Sequence, residues 1–93
     1  VKKMLFMAIY TVESENAKAF QKRVMEQGIP HSKGVKINGQ WPALTGGKAF
    51  QLIDVDDPQA LLAITAAWDD LCNIEYCPVM PAEEVMKFLS AKT

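Results

Sequence analysis

Met4-Leu5-Phe6-Met7-Ala8-Ile9-Tyr10-Thr11-Val12 is the stretch on which the fold turns. In an extended chain Leu5, Met7 and Ile9 point one way and Met4, Phe6, Ala8 and Tyr10 the other, and both sets are apolar. Such a strand belongs at the centre of a sheet covered on both faces. The run is far shorter than the ~20 residues that span a bilayer. Lys2-Lys3 ahead of it resembles the start of a signal peptide. The run continues into Thr11-Val12-Glu13-Ser14-Glu15 without a small-residue cleavage pattern, which reads as a cytoplasmic strand.

Downstream, Asn16 is placed to cap a helix with Ala17, Phe20 and Val24 on one face and Gly28 as its stop. Lys18, Gln21, Lys22 and Glu26 occupy the other face. A loop over 29–34 leads to Val35-Lys36-Ile37-Asn38-Gly39-Gln40-Trp41-Pro42-Ala43-Leu44, where Gly39 and Pro42 predict a bulged edge strand, because proline cannot donate to a central ladder. Thr45-Gly46-Gly47-Lys48 reads as a hairpin turn and Ala49 to Val55 as the returning strand. Asp57-Pro58 opens a second helix with Leu61, Ile64, Thr65, Trp68, Leu71 and Cys72 on its apolar face. Ile74 to Val79 predicts a final edge strand. Pro81, Glu83 and Glu84 begin a terminal helix with Val85, Phe88 and Leu89 on one side and Lys87 and Lys92 toward its end.

The order is β-α-β-β-α-β plus a C-terminal helix, which predicts an α+β, ferredoxin-like sandwich with the first and third strands central. Both main helices then cover one sheet face. The opposite face is apolar as well, and a second copy of the sheet is its simplest cover. The 93 residues read as a single domain with no interdomain linker. A chain of this size buries only roughly 60–65% of its unfolded surface, which adds weight to association.

Composition narrows the function. Lys+Arg 10 against Asp+Glu 11 gives a net charge of −1, without the basic footprint of a nucleic-acid or anionic-membrane binder. Lys48-Ala49-Phe50-Gln51-Leu52-Ile53 lies where an RNA-recognition domain keeps stacking aromatics, but only Phe50 is aromatic. Cys72 and Cys77 match neither a disulfide framework nor a zinc-ligand spacing, and read as buried thiols. A Cys-His nucleophile built with His31 has no local support. Gly46-Gly47-Lys48 lacks the spacing of a phosphate loop. Asp54, Asp56 and Asp57 lack the pattern of a calcium loop and read as capping and turn residues. No metal site and no cofactor is expected.

Taken together, Met4-Leu5-Phe6-Met7 with Tyr10-Thr11, Gly34-Val35-Lys36, Gly39-Gln40-Trp41, Gly46-Gly47-Lys48-Ala49-Phe50, Asp56-Asp57-Pro58, Trp68 and Pro78-Val79 resemble a family of small uncharacterised bacterial proteins. That family is a domain of unknown function within the dimeric α/β-barrel group. The resemblance implies a homodimer with its two sheets face to face and a pocket between each sheet and its own helices. It implies no reaction. The family pattern commonly has histidine after the Trp41 equivalent; Pro42 stands here, which counts against imidazole acid/base chemistry. Cofactor-independent monooxygenases, haem-degrading enzymes and lactone isomerases in the wider group share the fold alone.

Five side chains are candidates for a small-molecule site: Tyr10, His31, Trp41, Gln51 and Trp68. His31, the single histidine, reads as a solvated loop residue or as a proton-transferring group at a pocket mouth. Trp41 reads as core or dimer packing or as a stacking platform. Trp68 falls in a helix stripe as core or pocket wall. Tyr10 and Tyr76 suit buried hydrogen bonds or catalysis. The leading expectation is a homodimer that binds a small apolar or aromatic molecule, or serves as an accessory module. The alternatives are a cofactor-independent monooxygenase or isomerase using Tyr10 or His31 in a dry cleft, which requires an apolar cavity around at least two of the polar candidates, and a purely structural or partner-binding dimer, which requires a filled core.

Overall fold

The apolar run at Met4 forms β1 (Met4–Thr11) in a computed structural model, which describes residues 4–92, the side chain of Lys92 excepted. The Lys2-Lys3 pair and the Lys92 side chain lie outside the described residues. β1 is central: β3 (Lys48–Val55) pairs with one edge and β4 (Asn73–Pro78) with the other, both antiparallel. β2 (Val35–Pro42) adds to the far side of β3, giving the order β2-β3-β1-β4. With α1 (Ala17–Gln27), α2 (Gln59–Trp68) and α3 (Ala82–Lys92), this is an α+β chain with a four-stranded antiparallel sheet, compatible with the ferredoxin-like arrangement.

Phe6, Ala8 and Tyr10 of β1 and Gln51, Ile53 and Val55 of β3 face the helices. Ile64 and Trp68 of α2 and Phe20 and Val24 of α1 close over them. Leu5, Met7 and Ile9 share the opposite face with Phe50 and Leu52, and all five are only half-buried. Among the described residues none on this bare face is fully buried.

α1 starts at Ala17 after a 3-10 turn over Ser14–Asn16, and Asn16 makes no side-chain cap. Gly28 ends it, its N–H donating to Val24 O at 2.7 Å. Asp57 caps α2 as expected, its Oδ1 accepting from the Gln59 N–H at 3.0 Å. The helix stops at Trp68, short of the expected stripe. Leu71 and Cys72 follow in a turn but remain buried. Arg23 of α1 forks onto both oxygens of Asp70 at 2.7 and 2.8 Å and lies 5.6 Å from the Trp68 ring, tying the two helices together.

Gly46 and Gly47, at φ of 81° and 79°, supply the left-handed backbone of the β2–β3 turn. β2 is an edge strand and carries the expected bulge, between Ile37 and Gly39. Cys72 is buried, but Cys77 is exposed, contrary to the reading of both thiols as buried. Cys77 is opposite Met7 on the bare face of an edge strand, which leaves its thiol exposed. Among the described residues no helix is long and apolar enough to cross a membrane.

Candidate functional site

Between α1 and the sheet lies a cavity of about 190 Å³. Phe20 and Val24 form its helical wall, Ile29 and Pro30 of the following loop its end, and Tyr10, Ala49, Gln51 and Gln40 its sheet floor. The cavity runs from the buried Gln51, 3% exposed, out to the exposed Gln40.

The polar groups form one chain. Tyr10 Oη donates to Gln51 Oε1 at 2.7 Å. That bond fixes the Gln51 amide so that Nε2 donates to Pro30 O at 3.2 Å and, at 3.4 Å, to Gln40 Oε1. With its oxygen so engaged, Gln40 presents its own N–H donors at the mouth. Burial, then the nearby Tyr76 and Cys72, push the Tyr10 phenol well above its ordinary range, so it stays protonated and donating. Among the described residues no charged side chain lines the cavity.

The sequence candidates divide. Tyr10 and Gln51 meet in the cavity, and Trp41 borders it. The Trp41 ring is not a floor residue, because the bulge reverses the phase of β2. Gln40 then pairs with Gln51 on the helix side, and Trp41 pairs with Phe50 on the bare face. The indole is 54% exposed and folds back over Gly39, where a Cβ would come within 2.7 Å of Trp41 Cη2. Trp68 is core, 4% exposed and 5.3 Å from Phe20, behind the cavity wall. His31 is exposed in the loop with Nδ1 2.7 Å from Ile29 O, outside the cavity lining. Tyr76 bonds to Thr65 Oγ1 at 3.1 Å and donates to Leu61 O at 3.3 Å, joining β4 to α2.

Sequence reasoning missed Gln40, Phe20 and Pro30 as cavity residues. The signal for Gln40 was Gly39: a bulge there moves the inward position from Trp41 to its neighbour. The Asp54 carboxylate accepts from Asn38 at 2.8 Å, so it serves the sheet rather than a cation. Among the described residues no three His, Cys, Asp or Glu side chains stand together to hold a metal ion.

Comparison with curated proteins and with solved structures finds no match to this chain. One family matches residues 4–93, from the first residue of β1 through the terminal helix, under the description "Domain of unknown function (DUF3303)". With the match covering the sheet, the cavity and all three helices, the chain belongs to this domain-of-unknown-function family.

Proposed function

We propose that the protein is a cytoplasmic bacterial homodimer of the dimeric α/β-barrel type, joined sheet to sheet, whose protomers each bind one small uncharged molecule in the Tyr10–Gln51 cavity. The carrying observation is the directed chain from Tyr10 through Gln51 to Gln40 inside an otherwise apolar cavity. A chain that ends in N–H donors selects a ligand with an acceptor, such as a ketone or lactone carbonyl. An uncharged lining selects against a carboxylate or an ammonium group. An apolar cavity of about 150 Å³ takes up benzene. The cavity here, about 190 Å³, suits a single ring bearing a carbonyl substituent.

The cavity encloses Tyr10 and Gln51, as the enzyme alternative requires. Its chemistry favours binding over turnover, because the phenol is already donating to Gln51 and its raised pKa makes it a poor source of phenolate at neutral pH. The open cavity also counts against a purely structural dimer with a filled core.

Native mass spectrometry of the freshly purified protein, followed by titration of isotopically labelled protein with acetophenone, ethylbenzene and benzoate, tests this reading. The expected result is a dimer in which acetophenone shifts the Gln40 and Gln51 side-chain amide signals at the lowest concentration. Ethylbenzene, lacking an acceptor, binds more weakly, and benzoate leaves the signals in place. Benzoate binding as well as acetophenone, or acetophenone moving neither amide at millimolar concentration, overturns the ligand assignment.

A further inference from the structure

We infer that the ligand of the Tyr10–Gln51 cavity carries an alkyl tail, which leaves the cavity between Phe20 and Ala49 and lies in the crevice between the start of α1 and the β2–β3 turn. The inference rests on the binding reading above and narrows its ligand from bare rings to alkyl ketones and alkyl-substituted lactones.

The crevice, about 590 Å³ and open to solvent, continues the cavity: Phe20, Pro42 and Ala49 line both. Register explains the continuity. Gln40 and Gln51 pair across β2 and β3, and two residues nearer the turn Ala49 stands between Pro42 on one side and Tyr10 on the other. Val12 follows two residues beyond Tyr10, packs against the core and donates its N–H to Gly47 O at 2.8 Å. Side chains two apart on a strand share a face, so the sheet floor under the cavity runs on to the turn. The helix follows the same line. Ala17, Phe20 and Val24 are spaced along one side of α1, with Val24 lining the cavity, Ala17 the crevice and Phe20 both.

The chemistry of the lining changes along this trough. Where crevice and cavity meet it is apolar, and Ala17, Ala43 and Ala49 are small side chains that leave room beside Val12 and Phe20. Its outer end has Ser14, Thr45 and Lys48, all exposed, so solvent takes over there. From Ala49 to Gly47 the floor advances about 6.6 Å, the reach of an extended chain of roughly five carbons with bonds of ~1.5 Å. A tail of that length covers apolar lining and ends at the polar rim. The crevice lies on the helix side of the sheet, so association through the opposite face leaves it clear.

The probes are acetophenone and hexanophenone, which present the same ring and carbonyl and differ by four methylenes, each titrated into the isotopically labelled full chain. Both are expected to shift the Gln40 and Gln51 side-chain amides, and hexanophenone alone to shift the backbone amides of Val12, Ala17 and Gly47. Hexanophenone is expected to bind at least about tenfold tighter, below the roughly fourfold per methylene of complete burial because the crevice is open. Ala17 lines the crevice and not the cavity. Ala17→Leu is therefore expected to bring hexanophenone to within about threefold of acetophenone and to leave acetophenone unchanged. If acetophenone binds but hexanophenone binds no tighter, or leaves Val12, Ala17 and Gly47 unmoved, the tail is overturned and the cavity reading stands. If neither ketone moves the Gln40 and Gln51 amides, both are overturned. Hexanophenone keeping its full advantage in Ala17→Leu also overturns the tail.

Discussion

The Tyr10 phenol, on β1, donates to Oε1 of Gln51, on β3, at 2.7 Å, and this bond orients the one buried polar residue among the described residues. Ala8 is directly opposite Gln51 in the register, so Tyr10 reaches it diagonally across the two central strands. The alanine leaves room for that reach, and the paired phenol and amide satisfy each other in a site with no buried unpartnered polar side chain among those described.

Tyr10→Phe leaves Gln51 Oε1 without its donor and is expected to cost about 1–2 kcal/mol in urea unfolding, with an unchanged m value. Gln51→Leu strands both the phenol and Pro30 O, for roughly 2–3 kcal/mol. The double variant is expected to be more stable than Gln51→Leu alone, because it removes the stranded phenol as well. A double variant that is less stable indicates that packing rather than hydrogen bonding dominates the site.

Charge on β1 separates the two faces. Phe6 packs against the core, so Phe6→Asp is expected to unfold the chain, seen as loss of the circular dichroism signal. Met7 is on the bare face, so Met7→Asp is expected to keep the fold while halving the sedimenting mass. A Met7→Asp dimer at micromolar concentration contradicts sheet-to-sheet association.

The cysteines report burial and assembly independently. Burial, then the nearby Asp70, pushes the Cys72 thiol up to about 11, so a disulfide reagent at pH 8 is expected to reach it only on unfolding. Cys77 is exposed in the protomer but opposite Met7, so its labelling is expected to quicken on dilution as dimers part. The Cys72 shift also sets a sign. Between the ordinary value of 9.0 and about 11 the unfolded chain holds fewer protons, so stability falls as pH rises through that window.

Hydrogen bonds from Arg23 hold the Asp70 carboxyl below its usual range. Its contribution is fully present above the ordinary carboxylate pKa of about 3.9 and is lost as pH falls through the lowered value. Asp70→Asn is expected to lower the urea midpoint at pH 7 and to leave it nearly equal to that of the native chain at pH 2. A gap that persists at pH 2 assigns the effect to packing of Arg23 on Trp68 instead.

The amino-acid sequence by itself determined the order of elements, the central position of β1, the edge positions of β2 and β4, the glycine turn at Gly46-Gly47 and the Asp57 cap. Each of these rests on a local cause: two-sided apolarity, a proline that cannot donate, a positive φ, a carboxylate beside free N–H groups. The tertiary structure alone decided which side chains meet in the cavity. The bulge before Gly39 changes the phase of β2 by one residue, so Gln40 rather than Trp41 turns inward, and a shift of one position exchanges the two faces of a strand. Trp68 and His31 were candidates by type, yet one lies behind Phe20 and the other bonds to its own loop. Distance across a sheet and the depth at which a helix rides above it depend on packing between residues far apart in the chain, and no local pattern carries that information.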